Sequence, residues 1–263
     1  MKSILAIISL VAMAEHAMAA DIPAKVYSPA SPCCVSWDGF YFGVHGGYGW
    51  KRNNFEQVLS TNPLVTIGGI DSKGWVFGGQ AGYNWQYGSW VAGLEIDFST
   101  SGIRGETPLV TRNPTPDTTL SERRGDDVQY LGTARARLGF APLASLLIYG
   151  TAGLAWERVD RTIFTSTLTP ANLVTVLSRQ PNDRFGWVAG VGGEAKLFGS
   201  NWIGRVEYLH YDFGTVERTV TSDAVGADPR SFSDSGGRQT IDLVRAGVSY
   251  KFCGDCGPVR AAY

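Results

Sequence analysis

Carboxylates and histidines are the side chains of this sequence that are suited to acid–base catalysis. Glu95 and Asp97 are two residues apart, so they share one face of a strand and both have the chemistry of general acids or bases. His45 and His210 are candidates for a triad that acts on lipid, but neither lies in a recognisable nucleophile motif. We therefore predict no catalytic residue and no cofactor, and we interpret both histidines as structural.

A larger set of charged residues alternates with apolar and aromatic residues. Successive side chains of a strand point to opposite faces, so these charges share the face that we predict to point inward. Their signs nearly match, and an unpaired buried charge is strongly destabilising, so we predict a plugged interior of ion pairs rather than an open channel. The predicted partners are Glu95, Asp97, Arg135, Arg137, Glu157, Glu194, Lys196, Arg205, Glu207 and Arg245.

Eight alternating segments carry these residues. The last, TIDLVRAGVSYKF, is about as long as a tilted strand that crosses a bilayer. Lipid offers a lone strand no hydrogen-bond partners, so only a closed barrel can cross. In the fourth segment, Val128 and Tyr130 are predicted to share the apolar face. The predicted strands are 39–50, 74–87, 90–99, 128–140, 146–158, 184–198, 202–212 and 240–252.

The connections between these segments alternate between very short and long. The long ones are 51–73, 100–127, 159–183 and 213–239, and within them Arg161–Leu168 and Leu173–Ser178 are suited to a hairpin beyond the membrane. Long loops at one end and tight turns at the other are typical of outer-membrane barrels. The predicted fold is all-β: an eight-stranded antiparallel up-and-down transmembrane β-barrel with short periplasmic turns and long extracellular loops.

The direction of the apolar face decides between a membrane barrel and a soluble lipocalin-like barrel, which also alternates. The interior of an eight-stranded barrel holds only one packed set of side chains, too little for all the large rings of the apolar face. These rings are therefore predicted to face lipid. An aromatic girdle at the short-turn end agrees with this direction, and its members are Trp85, Tyr87, Trp90 and Trp202.

The ends of the chain carry targeting features. Lys2, the apolar run 4–14 and Ala17-Met18-Ala19 predict a signal peptide at 1–19, followed by a periplasmic linker at 20–37, the barrel at 38–252 and a periplasmic tail at 253–263. Past the signal, no run approaches the roughly 18 apolar residues of a membrane helix. The net charge of -1 and the scattered basic residues argue against a nucleic-acid partner.

Four cysteines flank the predicted barrel: Cys33 and Cys34 precede the first strand, and Cys253 and Cys256 follow the last. In a closed barrel these strands are neighbours, so all four thiols gather in an oxidising compartment. Three pairing schemes are possible. We favour a bridge between the two pairs; flexible tails without fixed partners and a zinc site are the alternatives, and we assign no metal.

At the level of whole motifs, the chain resembles the Omp25/Omp31-type outer-membrane β-barrel proteins of alphaproteobacteria. The resemblance is carried in order by WDGFYFGVHGGYGW, GWVFGGQAGYNWQYGSWVAGLEIDF, GTARARLGF, YGTAGLAW, GWVAGVGGEAKL, WIGRVEYLHYDFG and VRAGVSYKF. It implies membership of a porin family, an outer-membrane location, and roles in envelope integrity or host contact. Such barrels usually end on the aromatic residue that the insertion machinery reads, whereas here Phe252 is followed by CGDCGPVRAAY.

These observations lead to one expected function and three alternatives. We expect a non-enzymatic outer-membrane protein with an envelope-integrity and surface-interaction role. Its expected partners are the lipid bilayer, the insertion machinery that reads the last strand, and a host or matrix surface partner. The alternatives are a narrow porin-like diffusion channel, an outer-membrane lipid-modifying enzyme and a haem-binding protein, although no His-rich or Tyr-rich loop motif supports the last.

Overall fold

The computed structural model describes residues 36–53, 57–59, 65–67, 71–197, 201–215, 218–222, 230–234 and 237–252. No helix within these ranges is long and apolar enough to cross a membrane. The strands are β1 (Gly39–Asn53), β2 (Gln57–Leu59), β3 (Val65–Ile67), β4 (Ser72–Tyr87), β5 (Trp90–Glu106), β6 (Val110–Thr115), β7 (Thr118–Leu143), β8 (Leu146–Leu168), β9 (Leu173–Lys196), β10 (Trp202–Thr215), β11 (Arg218–Ser222), β12 (Arg230–Asp234) and β13 (Arg238–Lys251).

Eight of these strands close into a ring. Around the ring the order is β1, β13, β10, β9, β8, β7, β5 and β4, and every neighbouring pair is antiparallel. The pairing of β5 with β7 closes the ring, so the spanning part presents no open edge to lipid. The predicted eight-stranded antiparallel barrel is confirmed. Outside the ring, β6 pairs with β7, β2 with β3, and β11 with β12.

The tight turns lie at one end of the barrel, together with the start of its first strand and the end of its last strand. Gly88 and Ser89 join β4 to β5, and Gly88 has a φ of 60°, in the left-handed region that two-residue hairpin turns require. At the same end, the Phe252 amide donates to the Phe40 carbonyl at 2.8 Å. This is the short-turn, periplasmic end.

The strands at the opposite end are longer than the alternation predicts. β7, β8 and β9 are 26, 23 and 24 residues long, and β8 and β9 pair without interruption from Leu146 to the hairpin pair Leu168 and Leu173. The predicted hairpin of Arg161–Leu168 and Leu173–Ser178 is confirmed, whereas the predicted loops 100–127 and 159–183 are largely strand. Runs such as TIFTSTL mix Thr and Ser with apolar residues on both faces, so no apolar face marks them as strand in the sequence.

Exposure alternates along the spanning strands in the sense that a membrane barrel requires. On β5, Leu94 and Ile96 are 56% and 61% exposed on the outside, whereas Glu95 and Asp97 are 3% and 4% exposed on the inside. On β8 the outward residues remain apolar from Ile148 to Trp156 and then change to Arg158 and Asp160. The hydrocarbon region therefore ends near Trp156, and the upper parts of β7, β8 and β9 lie outside it.

One residue of the fourth predicted segment lies on the opposite face from its prediction. Val128 is 0% exposed inside the barrel, whereas Tyr130 is 43% exposed on the outside. The pairing of β7 with β8 shifts register between these two residues, so Gln129 is an extra residue in a β-bulge. A bulge inverts the faces on one side of it, which is why strict alternation assigns Val128 wrongly.

The interior is layered along the barrel axis, and β10 shows the order. From the periplasmic end its inward residues are Ile203, then Arg205 and Glu207, then Leu209 and Tyr211. The lower apolar layer contains Trp37, Val91, Ala141, Leu147, Tyr149 and Ile203. The upper apolar layer includes Val76, Ile103, Val128, Leu131, Val159, Val188, Leu209, Tyr211, Ile241 and Leu243. A layer of charged residues lies between them.

Candidate functional site

The middle of the barrel is filled by a cluster of charged residues, which we call the ionic layer. Each member is at most 4% exposed. It consists of Glu95, Asp97, Glu194, Glu207, Arg135, Arg137, Arg205 and Arg245. Four carboxylates therefore face four guanidinium groups, and the formal charges of the layer cancel.

Arg135 is one centre of this layer. Its Nη1 lies 2.9 Å from Glu207 Oε1, its Nη2 lies 3.1 Å from Asp97 Oδ2, and it also binds Glu95. Arg245 contacts the same acids, with Nη2 at 2.7 Å from Glu207 Oε2. Because each guanidinium binds carboxylates from more than one strand, the layer joins strands that are not neighbours in the ring.

Arg205 and Arg137 form the second centre, around Glu194. Arg205 Nη2 and Arg137 Nη2 lie 2.6 Å and 2.9 Å from Glu194 Oε1. Tyr41 lies beside them: its hydroxyl donates to Glu95 at 2.6 Å and accepts from Arg137 at 2.8 Å. The Arg137 guanidinium also lies 4.1 Å from the centroid of the Tyr149 ring. Aromatic groups therefore cover the periplasmic side of the charges.

A smaller ionic cluster lies in the upper half of the interior. Lys51 Nζ lies 3.3 Å from Glu157 Oε2, and Arg184 Nη1 lies 3.8 Å from Glu157 Oε1. Arg184 also donates to Gln239. The structure thus places Glu157 in an interior ion pair. Alternation predicts the first strand only as far as residue 50, so the sequence pattern does not identify Lys51 as the partner of Glu157.

The periplasmic mouth of the barrel is closed by residues just before β1. The Trp37 side chain is 0% exposed inside the lower apolar layer, and its amide donates to Gln86 Oε1 at 2.5 Å. Lys251 Nζ donates to the Asp38 carbonyl at 3.1 Å. Lys196 Nζ lies 4.9 Å from the Trp37 ring centroid and 3.4 Å from the Ser36 carbonyl. Trp37 was predicted as the last linker residue, but it belongs to the packed interior.

The two histidines occupy different environments. His45 is 1% exposed inside the barrel, where its Nε2 lies 2.8 Å from Ser99 Oγ and 3.2 Å from Arg245 Nη1, and its Nδ1 lies 2.5 Å from Gln80 Oε1. An arginine only donates hydrogen bonds, so it occupies the lone pair of Nε2 that a general base would use. Alternation along the strands does not identify Ser99 as a neighbour of His45.

His210 lies on the outer surface near the extracellular interface. Its Nδ1 is 2.8 Å from Asp242 Oδ1, and the Tyr208 hydroxyl donates to the same oxygen at 2.7 Å. The Trp187 ring lies 5.8 Å from the His210 ring. This group is a hydrogen-bonded set at the end of the spanning region, where amphipathic side chains are favoured.

The residues of the predicted aromatic girdle all face outward at the short-turn end. Trp85, Tyr87, Trp90 and Trp202 are 40%, 75%, 57% and 49% exposed. Trp90 packs edge-on against Phe140 at 5.4 Å, and Trp202 packs against Tyr250 at 5.2 Å between ring centroids. Rings at this level are suited to the interface between the hydrocarbon and the headgroups.

A cleft of about 430 Å³ opens on the outside of the barrel where β9 and β10 separate. Arg238 Nε donates to Asp212 Oδ2 at 2.9 Å beside it, and the Arg238 side chain is 64% exposed. The cleft is lined by Phe185, Gly186, Trp187, Asp212, Phe213, Gly214, Thr215 and Arg238. It combines aromatic walls with an exposed guanidinium group.

The cysteines Cys33, Cys34, Cys253 and Cys256 lie outside the described residues, so their pairing stays a prediction. The pairing of β1 with β13 does bring the two ends of the barrel together, with Tyr41 opposite Lys251. Within the described ranges, no group of three or more His, Cys, Asp or Glu side chains is arranged to hold a metal ion.

A closed antiparallel ring with an apolar outer face and an ionic interior is an integral membrane β-barrel. The family model described as "Outer membrane protein beta-barrel domain" matches residues 3–252, and the chain belongs to this family. It is therefore a protein of the bacterial outer membrane, as the sequence patterns predicted.

Two relatives from Brucella agree with this family. The chain is 33% identical to a 31 kDa outer-membrane immunogenic protein of Brucella melitensis, over 96% of this chain and 100% of that protein. It is 30% identical to a 25 kDa outer-membrane immunogenic protein of Brucella abortus, over 82% of this chain and 80% of the relative. The predicted resemblance to the Omp25/Omp31-type proteins is confirmed. Neisserial surface protein A, a solved structure, covers 81% of this chain and 97% of its own length at 14% identity, with a TM-score of 0.39.

Proposed function

We propose that the protein is a non-conducting, non-enzymatic component of the outer membrane that supports envelope integrity and presents a contact surface outside the cell. The observation that carries the proposal is the Arg205–Glu95 ion pair. Arg205 lies on β10 and Glu95 on β5, four positions apart in a ring of eight strands, and their side chains meet at 2.7 Å. An ion pair between opposite walls leaves no straight path for a solute through the middle of the barrel.

The apolar layers on either side of the ionic layer support the same proposal. An ion that enters the barrel meets Trp37 and its neighbours at one end and the upper apolar layer at the other. The apolar side chains of these layers offer an ion few groups that could replace its water, and partial dehydration of an ion is strongly unfavourable. Opening a conducting path therefore requires breaking packed contacts in three successive layers.

The contact role rests on the strands beyond the membrane. β7, β8 and β9 continue as one sheet above the hydrocarbon region, which gives the molecule an ordered surface outside the cell. A rigid scaffold that presents loops and edges is a common way to build a binding surface. The Brucella relatives are named as immunogenic, which supports a surface role for this chain as well.

Single-channel recording on the purified, folded monomer in a planar bilayer tests the closed state. We expect no stable, large conductance from the wild-type protein. A persistent open level from folded monomers would favour the alternative of a narrow porin-like channel.

Deletion of the gene tests the envelope and contact roles together. We expect greater detergent sensitivity and weaker adhesion to host cells or matrix, both restored by the wild-type gene. An unchanged phenotype in both assays would contradict the proposal.

For the enzyme alternative, incubation with labelled lipid is compared between wild type, His45→Ala and His210→Ala. Turnover that is lost in either variant would establish catalysis instead.

A further inference from the structure

One edge of the extracellular sheet has no partner strand among the described residues. β9 pairs with β8 from Leu173 to Ala195, but its pairing with β10 begins only at Trp187. On the side away from β8, no described strand therefore pairs with the upper part of β9. Arg158 lies on the outer face of β8, opposite Asp183 on β9. Because charged residues on the outer face are unfavourable in hydrocarbon, the upper part of β9 lies above the hydrocarbon region.

The hairpin at the tip determines which backbone groups point outward from this edge. The Thr169 amide donates to the Asn172 carbonyl at 2.9 Å, which makes these residues a hydrogen-bonded pair. Such pairs alternate with non-bonded pairs along an antiparallel ladder. The residues of β9 that direct their amide and carbonyl groups away from β8 are therefore Leu173, Thr175, Leu177 and Arg179. Pro181 is the next in this series, a position where its missing amide hydrogen removes nothing from the β8 ladder.

We call the stretch Leu173–Gln180 the β9 edge. Its sequence, LVTVLSRQ, is rich in β-branched and aliphatic residues and contains one charge. Leu173, Val174, Val176 and Leu177 are 66%, 54%, 54% and 70% exposed. Natural proteins usually protect such edges with charges, prolines or bulges. The other edge of the same sheet, β6, has the sequence VTRNPT and so carries an arginine and a proline, whereas the β9 edge has only Arg179 near its lower end.

The β9 edge leads down to the cleft at the point where β10 joins. Phe185 and Trp187, which line the cleft, are 81% and 46% exposed, and Arg238 presents an exposed guanidinium group there. Arg179 is the one charged residue of the β9 edge and it is exposed, so an acidic ligand residue opposite it is favoured. Arg238 is already paired with Asp212, which lines the same cleft, so the cleft adds no net charge. An apolar edge with one positive charge near its lower end is complementary to an extended peptide that is mostly aliphatic and has one acidic end.

We propose that the β9 edge and this cleft form a strand-addition site for an extended segment of another protein. The segment carries aliphatic residues along the edge and an acidic residue at its membrane-proximal end. It adds antiparallel to β9, so its N-terminal part lies in the cleft, because antiparallel pairing is the more stable arrangement. The site rests on the proposed surface-contact role and names the chemistry of the partner.

The probe is the fluorescent synthetic peptide EQVDQTIFTSTL, which is the sequence of residues 157–168 with Arg158 and Arg161 replaced by Gln so that its N-terminal end is acidic. The parent stretch already pairs antiparallel with this part of β9 as part of β8. The full mature protein is placed in nanodiscs, and binding is followed by fluorescence anisotropy. A control peptide with prolines at two alternate positions cannot form a ladder. We expect saturable binding of the first peptide and none of the second.

Two variants of Thr175 separate the contribution of the backbone hydrogen bond to binding from that of the side chain. Thr175→Pro removes an outward amide without breaking the β8 ladder, and Pro181 shows that the edge accepts proline at an equivalent position. Thr175→Val keeps the amide and the β-branched shape. We expect Thr175→Pro to weaken binding about tenfold through the lost hydrogen bond and the proline ring, and Thr175→Val to bind like wild type. Arg179→Gln should weaken binding only when the probe keeps its acidic residues.

Hydrogen exchange on the wild-type protein gives a second, independent measurement. The amides of Leu173, Thr175, Leu177 and Arg179 should become protected when the probe is added. Equal binding by Thr175→Pro, or equal binding to protein-free nanodiscs, would overturn the proposal. Protection that is confined to Phe185 and Trp187 would assign the cleft to a lipid and would also overturn it. Because conductance and the deletion phenotype are measured without the probe, failure of the strand-addition site is distinguishable from failure of the proposed function.

Discussion

Arg205 and Glu95 extend from opposite walls of the barrel and meet at 2.7 Å in its centre. Both side chains are almost fully enclosed, and each has a second partner, since Arg205 also binds Glu194 and Glu95 also binds Arg135. The pair therefore acts as a cross-brace between β5 and β10. Its energetic value depends on the complete network, because an enclosed charge without a partner is far less stable than one in water.

Glu95→Gln removes one charge from this network and keeps the size of the side chain. Because the guanidinium groups around it then carry an uncompensated positive charge, we expect the free energy of unfolding to fall by about 3 to 5 kcal/mol. Urea unfolding in lipid vesicles, followed by tryptophan fluorescence, measures the change. The pair Arg158–Asp183 provides the control, since it is 3.9 Å long and exposed at 47% and 67%. Arg158→Gln should cost less than about 1 kcal/mol, and equal losses in both variants would contradict the cross-brace.

The faces of the spanning strands could be predicted from the sequence because lipid imposes a strict rule on them. Leu94 and Ile96 outside and Glu95 and Asp97 inside follow from alternation alone. The rule has less force above the hydrocarbon region, where both faces of a strand meet water. Strand runs such as 161–168 therefore carry no clear periodicity, and alternation underestimates the length of these strands.

Three interior features could not be derived from alternation. The bulge at Gln129 changes the face of Val128, and nothing in a run of alternating residues marks where an extra residue is inserted. Trp37 precedes the first strand, so it belongs to no alternating pattern, and only the closed ring provides the apolar space that it fills. The pairing of individual charges was also beyond the sequence, since Lys51 and Glu157 lie on opposite walls and 106 residues apart.

Close packing at Gly82 gives a second prediction. A methyl group there would lie 2.5 Å from Tyr41 Cζ and 2.6 Å from the Leu94 carbonyl oxygen, so Tyr41 would have to leave its contacts with Glu95 and Arg137. We expect Gly82→Ala to lower the free energy of unfolding by roughly 1 to 3 kcal/mol. At Gly79, on the outer face, the nearest atom would be 3.5 Å away, so Gly79→Ala should be close to neutral in the same urea experiment. A neutral Gly82→Ala would mean that Tyr41 is not fixed by the ionic layer.

The cysteines give a third prediction that depends on the neighbouring positions of β1 and β13. We expect at least one disulfide between the Cys33–Cys34 pair and the Cys253–Cys256 pair, which would join the two ends of the barrel in an oxidising compartment. Non-reducing peptide mapping of protein purified from outer membranes identifies the bridge. Cys33→Ser combined with Cys34→Ser should remove it and leave Cys253 and Cys256 free or bridged to each other. Four free thiols in the wild-type protein would refute the bridge.

Trp37→Ala tests whether the periplasmic closure or the ionic layer is the barrier to ions. Loss of the indole leaves a cavity in the lower apolar layer beside Leu147 and Ile203, and the expected cost is roughly 3 kcal/mol of the free energy of unfolding. The ionic layer above it is unchanged, so single-channel recordings should still show no stable conductance. Trp85→Ala is the matched control, because Trp85 lies at the same end of the barrel on the outer face and is 40% exposed; it should leave the conductance unchanged and weaken only the interfacial anchoring. If Trp37→Ala alone produced a persistent open level, the barrier to ions would lie at the periplasmic mouth, and the Arg205–Glu95 brace would be stabilising the barrel without closing it.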